Sequence, residues 1–320
     1  MKRGLVLPQC GSQYVGMGKE LYDKYRVIQE YFEEAIECTN INFIKLCFAA
    51  SEIDMLSWEQ GPLALLLVGC ASSGLLRAQH ISYDVSVGWD MVSWYSAVHA
   101  AHAVTLPDAL YMIRKWIEAG HFLREGNAYG TLKIDGTRPS TDAMIATLSG
   151  QAAERGFFLR VVSVSATHMI IGGDMAGLIY LQDILQREEI TYEHYDSVDC
   201  VGIALPDDRA SQVQQYLEKI DFTEPRCPVM NPLTGDWMTT AEELRACARE
   251  LIIRPLRHDR ILRTLQTIPA FICAIPAARA LDNLKNHLPD ATWWSMDTES
   301  EYQHMREGLA SQEVETLEQP

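Results

Sequence analysis

The first 125 residues alternate between short apolar runs and longer segments with helical periodicity. Short apolar runs are typical of buried strands, and apolar positions three or four residues apart are typical of helices that cover them. The predicted helix at 62–79 is apolar on several faces and is therefore expected to be buried. The predicted strands are 4–8 and 81–87, and the predicted helices are 19–38, 62–79, 91–104 and 107–125.

The segment 128–195 changes character and predicts a compact inserted unit. Its elements follow in the order strand, helix, strand, strand, helix, strand. This is the order of the split βαβ, or ferredoxin-like, arrangement. Turn residues at Gly126-Asn127 and at 137–139 mark its edges. The predicted strands are 131–135, 157–164, 167–172 and 190–195, and the predicted helices are 141–155 and 176–188.

After the insert, the chain returns to alternating strands and helices. The last thirty residues carry several acids and are predicted to end in a frayed tail. We therefore expect a large α/β subdomain formed by 1–127 and 196–290, a small subdomain at 128–195, and a tail at 291–320. The remaining predicted strands are 228–231 and 270–275, and the remaining predicted helices are 207–219, 240–251, 256–267 and 276–287.

Composition and charge limit the classes of function. The net charge of −16 argues against nucleic acid as a general partner. No apolar stretch reaches the roughly 18 residues of a membrane-spanning helix, and the opening apolar run is too short for a signal peptide. The eight cysteines lack the spacing of a metal site, and His99 and His102 lack a third ligand nearby in sequence. We therefore expect no metal and a reducing, cytoplasmic location.

Residues 87–92, Val-Gly-Trp-Asp-Met-Val, lie between a predicted strand and a predicted helix. A sharp strand–turn–helix junction is the place where a G-x-S-x-G serine is held exposed above an α/β sheet. Here Asp90 stands at the serine position and Val92 stands at the position of the second glycine. The sequence therefore predicts this turn, which we call the elbow, without its usual nucleophile.

Four further segments, in order along the chain, resemble a single enzyme family. They are LPQCGSQYVGMGKELYDKY (7–25), TLPDAL (105–110), AGHFLREG (119–126) and CPVMNPLTG (227–235). Together with the elbow and the insert, they resemble the malonyl/acyl-CoA:acyl-carrier-protein transacylases over residues 4–290. The resemblance implies an α/β fold in which an α/β-hydrolase-like large subdomain carries an inserted ferredoxin-like small subdomain. It also implies a place in fatty-acid or polyketide biosynthesis.

The resemblance further implies a mechanism and its substrates. In this family an elbow serine, activated by a histidine, attacks an acyl thioester while backbone N–H groups stabilise the oxyanion. An arginine pairs with the malonyl carboxylate. The substrates implied are thioesters of coenzyme A or of a phosphopantetheinyl acyl carrier protein, with no separate cofactor. The implied partner is an acyl carrier protein or a polyketide synthase, with neither nucleic acid nor membrane.

None of the four side-chain roles of this mechanism is filled by the residue that the family uses. The nearest possible replacement for the histidine is His194, which precedes the matching position by six residues. The residues at the family's positions are Asp90 for the serine, Cys10 for an opening-loop glutamine (with Gln9 beside it), Cys200 for the histidine and Ala119 for the arginine.

The resemblance also places a set of residues along the expected substrate site. Trp89 replaces the histidine that the family has beside its nucleophile, and it adds bulk at the mouth of the site. The residues expected to contact substrate are Gln9, Trp89, Met91, Ala119 and Asn231.

The replaced catalytic set predicts that serine-based malonyl transfer is absent, which leaves three hypotheses open. In the first, Asp90 acts as a nucleophile of a different chemistry. In the second, a thiolate of Cys10 or Cys200 attacks the thioester. In the third, the chain binds a carrier protein or synthase without catalysis. The basic residues predicted to serve that binding are Arg254, Arg257 and Arg260.

Overall fold

The computed structural model of the chain describes residues 2–120, 129–136, 147, 150–194, 205–275 and 284–318, with side chains as far as Ser311. The helices are α1 (Lys19–Lys24), α2 (Arg26–Thr39), α3 (Phe43–Ala49), α4 (Glu52–Met55), α5 (Gly61–Ala78), α6 (Met91–Ala100), α7 (Leu106–Gly120), α8 (Met175–Arg187), α9 (Asp207–Leu217), α10 (Ala241–Leu251), α11 (His258–Leu265) and α12 (Glu299–Glu318). The strands are β1 (Arg3–Val6), β2 (Val85–Val87), β3 (Tyr129–Asp135), β4 (Leu159–Val164), β5 (His168–Asp174), β6 (Tyr192–His194), β7 (Val229–Met230), β8 (Trp237–Met238), β9 (Leu256–Arg257), β10 (Ala270–Cys273) and β11 (Thr292–Ser295).

A six-stranded sheet forms the centre of the larger part of the molecule, in the order β11-β10-β1-β2-β7-β8. The strands from β11 to β7 pair in parallel, and β8 returns antiparallel to β7. The strands β1, β2 and β10 are apolar and largely buried, as expected for a parallel sheet covered on both faces. This sheet positions the elbow, because β2 ends at Val87.

A five-stranded sheet has the order β6-β3-β5-β4-β9. Its first four strands fall within 128–195 and pair antiparallel. Its fifth strand, β9, comes from the chain after the insert and pairs in parallel with β4 through Ser163 and Val164. The five-stranded sheet therefore includes one short strand from outside 128–195. The predicted boundaries at 128 and 195 lie at residues outside those described, so the division into subdomains stays a prediction.

The helix α5 is almost entirely buried, with only Arg77 and Ala78 at its end exposed. It is long and apolar enough to cross a bilayer, but 89% of its residues are buried inside the protein. It contacts α2, α6 and α7, so it forms the centre of the helical layer beside the sheet. The prediction of a buried helix at 62–79 is confirmed by this packing, which explains why apolar residues occur on all of its faces.

The C-terminal thirty residues differ from the prediction of a frayed tail. Thr292–Ser295 is β11, which pairs in parallel with β10, and α12 follows it. The ring of Trp294 lies against Gly308 of α12, where any side chain would overlap the ring. The indole of Trp293 stacks on Phe271 with 4.5 Å between ring centroids. The prediction of a frayed tail rested on the acidic composition of 291–320. The apolar contacts that hold this segment against the sheet come from a few residues and do not show in the composition.

Two other predicted helices are divided differently in the structure. The predicted helix at 19–38 is two helices, because Tyr25 adopts an extended conformation (φ −114°, ψ 116°) between them. The predicted helix at 256–267 begins with β9 and becomes helical only at His258. The predicted helix at 276–287 is described only at 284–287, which are helical, and 141–146, 148 and 149 of the predicted helix at 141–155 lie outside the described residues. The mixed α/β class predicted from the sequence is confirmed.

Candidate functional site

The elbow is the junction between β2 and α6, and Gly88 makes it possible. A side chain at residue 88 would overlap the backbone of Ser93 and Trp94 in the first turns of α6. Glycine therefore permits the strand to approach the helix that follows it. The sequence prediction of a strand–turn–helix junction at 87–92 agrees with this geometry.

Asp90 is the residue before α6 and caps its N-terminus. Its backbone is extended (φ −136°, ψ −177°), which is an unstrained conformation for any residue. Its side chain accepts from the Ser93 N–H, and the Ser93 hydroxyl accepts from the Asp90 N–H, so the two residues form a capping box. Asp90 therefore has the local geometry of a helix cap.

The Asp90 carboxylate is hydrogen-bonded through both of its oxygens. Oδ1 accepts from the Ser93 N–H at 2.8 Å and from the Ser93 hydroxyl at 3.0 Å. Oδ2 accepts from the Cys10 N–H at 2.7 Å, and Cys10 is eighty positions earlier in the sequence. The carboxylate consequently ties the opening loop to the elbow. A backbone N–H from a separate loop is also the kind of donor that stabilises an oxyanion at such an elbow.

Burial and hydrogen bonding have opposite effects on the charge of Asp90. The side chain is buried, and its residue is 3% exposed. Burial raises the pKa of the Asp90 carboxyl above its usual value, while the donors from Ser93 and Cys10 act to lower it. A buried carboxylate whose two oxygens accept hydrogen bonds is a weak nucleophile, because the donors stabilise its negative charge and burial keeps a substrate away from it.

Cys10 lies in an opening loop that is held by short-range hydrogen bonds. The Ser12 hydroxyl donates to the carbonyl of Gln9 at 2.5 Å, and the Gly11 N–H donates to Oε1 of Gln13 at 2.8 Å. Cys10 itself is 2% exposed, whereas Gln9 is partly exposed. The contact of Cys10 with Asp90 is made by its backbone N–H, so it does not depend on the thiol.

Trp89 and Met91 flank Asp90 and are both buried. The carbonyl of Trp89 lies 3.2 Å from His258 Nε2, and since a carbonyl only accepts, that nitrogen carries the proton. Burial lowers the pKa of His258. Sequence reasoning missed His258, because its partner lies 169 positions away and no local pattern sets it apart. His258 begins α11 and so joins the five-stranded sheet to the elbow.

A small cavity lies beside Met91, between the elbow helix and the five-stranded sheet. Its volume is about 30 Å³, which is room for roughly one or two water molecules. Ala119 lies on α7 about one turn after Trp116, which lines this cavity, and Ala119 is buried. The lining residues are Met91, Trp116, Arg160, Val161, Val162, Leu251, Ile252, Ile253, Arg254 and Leu256.

The other predicted site residues are not brought to Asp90 by any contact of the described chain. Asn231 shapes the turn between β7 and β8, where its Oδ1 accepts from the Leu233 N–H at 2.9 Å. His194 is exposed on β6, the edge strand opposite β9, and contacts Gln182 at 2.9 Å. Cys200 lies outside the described residues. The substrate-binding and catalytic roles of these positions stay predictions.

The basic segment at 254–260 is mostly neutralised by neighbouring acids. Arg254 pairs with Glu250 at 2.7 Å, and Arg257 pairs with Asp259 at 2.8 Å. Arg260 is exposed. The segment therefore presents less positive charge than its sequence suggests, and its role in partner binding also stays a prediction.

The sequence is similar to curated transacylases over most of its length. No protein family model matches the chain. The malonyl CoA-acyl carrier protein transacylase of Bacillus subtilis is 23% identical over 267 residues, which cover 82% of this chain and 83% of that protein. A phenolphthiocerol/phthiocerol polyketide synthase polypeptide of Mycobacterium tuberculosis is 22% identical over 242 residues, which cover 73% of this chain and 15% of that much longer polypeptide.

Solved structures of transacylases share the fold of the chain. The malonyl CoA-acyl carrier protein transacylase of Clostridium perfringens superposes with a TM-score of 0.83 at 17% identity, covering 99% of both chains. A malonyl-transacylase in complex with its type II polyketide synthase acyl-carrier protein gives a TM-score of 0.80 at 17% identity, covering 96% of this chain and 100% of that one. The chain thus has the malonyl transacylase fold, and the family resemblance predicted from its sequence is confirmed.

Proposed function

We propose that this chain handles acyl thioesters of coenzyme A or acyl carrier protein in fatty-acid or polyketide biosynthesis, without transferring the acyl group through its elbow. In this proposal the chain is a non-catalytic homologue of the malonyl transacylases, located in the cytoplasm, and it binds an acyl carrier protein. The similarity to transacylases, including one in complex with an acyl-carrier protein, supports the substrate class and the partner.

The observation that carries the proposal is the position of the Asp90 carboxylate. It occupies the Cys10 N–H that would be a donor to the oxyanion of a thioester intermediate. A substrate oxygen could use this donor only after the carboxylate had left it. The elbow therefore holds an internal carboxyl group at a donor that a transacylase needs for its transient oxyanion.

The same geometry argues against Asp90 as the nucleophile of another reaction. A nucleophilic carboxylate must reach the substrate with one of its oxygens, and a second group must then activate water. Both oxygens of Asp90 accept hydrogen bonds from the protein, and the residue is buried. The two observations support a structural role for Asp90, which fixes the elbow and the opening loop together.

A thiol route is the second candidate function, and one contact favours testing it. Cys10 is held against Asp90 by its own N–H, so its position beside the elbow is fixed. Its burial at 2% exposure opposes attack on a bulky thioester. The non-catalytic proposal therefore predicts that Cys10→Ser leaves ligand binding unchanged, whereas the thiol route predicts that the substitution abolishes a covalent adduct.

The test is intact-protein mass spectrometry of the purified chain after incubation with acetyl-, malonyl- and longer acyl-CoA, together with holo acyl carrier protein. We expect neither an acyl adduct on the chain nor acylation of the carrier protein above the rate without the chain. In parallel, fluorescence anisotropy with labelled acyl carrier protein should give saturable binding. An adduct mapped to Asp90 or Cys10, or catalysed acylation of the carrier, would refute the non-catalytic proposal.

A further inference from the structure

A second cluster of polar side chains lies at the far end of α6 from Asp90. Arg77, near the end of α5, donates from Nη2 to the Tyr31 hydroxyl at 2.7 Å and from Nη1 to the ring of His102 at 2.9 Å. The Tyr31 hydroxyl also lies 3.0 Å from His99 Nε2. Because α6 has 10 residues, this cluster is about 15 Å along the helix from the elbow.

The hydrogen bonds fix the direction of each proton in the cluster. His99 Nδ1 lies 3.0 Å from the Val104 carbonyl, which only accepts, so Nδ1 carries the proton. His99 Nε2 therefore accepts from the Tyr31 O–H, and the Tyr31 oxygen accepts from Arg77. The ring of His102 accepts from Arg77 in the same way. Each side chain that holds Arg77 is consequently a neutral acceptor.

Burial and nearby charge keep these groups neutral at physiological pH. Burial lowers the pKa of His99 to about 4. Burial, with added repulsion from Arg77 and Arg226, lowers the pKa of His102 to about 4. Burial raises the pKa of Tyr31 to about 12. These neutral neighbours hold the guanidinium of Arg77 in position without neutralising its positive charge.

The position of Tyr31 depends on Gly74 of α5. Any side chain at residue 74 would overlap the Tyr31 ring, so the glycine lets the ring lie against the helix. The rings of Tyr31 and His99 meet edge to face, with 5.6 Å between centroids. Close packing from α2, α5 and α6 thus fixes the hydroxyl that accepts from Arg77. The guanidinium is held in advance, which lowers the entropy cost of binding a ligand.

The guanidinium of Arg77 has no ion-pair partner in the part of the chain that the structure describes. Arg77 is exposed, and no carboxylate of the described residues lies within ion-pair distance of it. Arg226 is also exposed, and its backbone N–H binds the Ala101 carbonyl at 2.8 Å, beside His102. By contrast, Arg254 and Arg257 pair with carboxylates. Arg77 and Arg226 both act electrostatically on His102, and neither has an ion-pair partner among the described residues, although Glu34 acts on the neighbouring Tyr31. On a chain of net charge −16, these two guanidinium groups form a local concentration of positive charge.

We propose that Arg77 and Arg226 form a binding site for a phosphate group. Two of the five N–H donors of Arg77 are used by Tyr31 and His102, so three remain for a ligand. A planar guanidinium suits two-point contact with phosphate, and a phosphate dianion matches the charge of the two arginines. Inorganic phosphate and the phosphates of coenzyme A share this chemistry. The site is independent of the function proposed for the elbow.

The experiment is a titration of the full chain, with inorganic phosphate in one arm and coenzyme A in the other, at constant ionic strength held with chloride. The imidazole signals of His102 are followed by NMR. We expect a saturable shift, together with a rise in the pKa of His102 when the nearby site holds an anion. Arg77→Gln should weaken phosphate binding at least tenfold. The matched control is Arg187→Gln, because Arg187 is exposed on α8, remote in sequence, and its loss changes net charge equally.

The two arms separate the sources of the phosphate group. Binding of coenzyme A at least tenfold tighter than phosphate, with both requiring Arg77, assigns the site to the coenzyme. Equal affinities assign it to free phosphate. If Arg77→Gln does not fold, Arg226→Gln replaces it, with a smaller loss expected. The proposal is overturned if His102 shows no saturable shift up to about 50 mM phosphate, or if Arg187→Gln weakens binding as much as Arg77→Gln.

Discussion

The two ends of α6 show opposite treatments of charge. At the N-terminal end, Asp90 is buried, and both of its oxygens accept from Ser93 and Cys10. At the C-terminal end, Arg77 is exposed, and its hydrogen-bond partners within the described residues are the neutral side chains of Tyr31 and His102. Each charge has the sign that the helix dipole favours at its end. The two charged groups differ in what they can offer a ligand. Arg77 has N–H donors left over, whereas both oxygens of Asp90 already accept hydrogen bonds.

Because of this difference, Asp90 has a structural role, whereas Arg77 can still bind a ligand. The hydrogen bonds of Asp90 hold the chain together across eighty positions and leave both oxygens occupied. The hydrogen bonds of Arg77 fix the orientation of its guanidinium and leave some of its N–H donors for a ligand. A group with a strongly shifted pKa at an elbow is therefore not by itself a sign of catalysis, since its contacts decide what it can do.

The largest expected effect is at Gly88, which allows the elbow to form. Gly88→Ala should lower the free energy of unfolding by roughly 3 kcal/mol or more, because its methyl group would overlap the backbone of Ser93 and Trp94. Urea denaturation measures the change. Gly150→Ala is the control, since nothing lies within 4 Å of a methyl group there, and it should be neutral or slightly stabilising. Equal effects of the two substitutions would contradict the close approach at the elbow.

The next effect concerns pH and the C-terminal end of α6. His99 has a pKa of about 4 in the folded protein against 6.5 when unfolded, so the unfolded chain takes up the proton first. Stability contributed by neutral His99 is present above pH 6.5 and is lost as the pH falls toward 4. The total is about 3 kcal/mol. Urea midpoints measured between pH 7 and 4 should fall less steeply in His99→Gln than in the unchanged chain. Identical slopes would show that the pKa of His99 is not lowered in the folded protein.

A smaller effect is expected at the N-terminal end of α6. Asp90→Asn should destabilise the protein by about 1–3 kcal/mol, because the new amide group meets the Cys10 N–H or Ser93 donors in place of an acceptor. Thermal unfolding measures the change. Asp90→Ser keeps an N-cap oxygen for the Ser93 N–H and should cost less. If Asp90→Asn were neutral, the link between the opening loop and the elbow would not depend on the carboxylate.

The smallest effect is expected for Tyr31→Phe, which removes one hydroxyl. The buried His99 Nε2 then loses its donor and Arg77 loses an acceptor, at a cost of about 1 kcal/mol. Chemical denaturation gives this value, with Tyr111→Phe on α7 as a control for loss of a tyrosine hydroxyl. If Tyr111→Phe lowered the free energy of unfolding more than Tyr31→Phe, the hydrogen bonds of Tyr31 to His99 and Arg77 would not be stabilising as described.

Elements with a repeating pattern could be predicted from the sequence. The helix α5 is apolar on all faces, and the elbow combines a strand, a glycine and a small-residue helix, so both are visible in short windows. The C-terminal segment could not be predicted, because its acids dominate the composition. Its docking instead depends on a few contacts, such as Trp294 against Gly308, that form only after β11 joins the sheet.

The sequence predicts where the site residues lie along the chain, but not the long-range contacts between them. The sequence places Asp90 at the elbow and Cys10 in the opening loop. It does not show that the Cys10 N–H donates to the carboxylate, because that contact requires β1 and β2 to pair side by side. The Arg77 cluster joins residues from three helices and the loop after α6, so no window of sequence contains it.

The two-residue strand β9 affects whether the segment 128–195 could be removed from the chain as a separate unit. The segment 128–195 supplies four strands of the five-stranded sheet, but Ser163 and Val164 of β4 are covered by Leu256 and Arg257 from the later chain. An excised fragment of 128–195 would expose this strand edge, which is the kind of edge that pairs with other molecules and aggregates. The segment 128–195 therefore depends on later residues for one edge of its sheet, and any graft of it into another scaffold must bring its own replacement for β9.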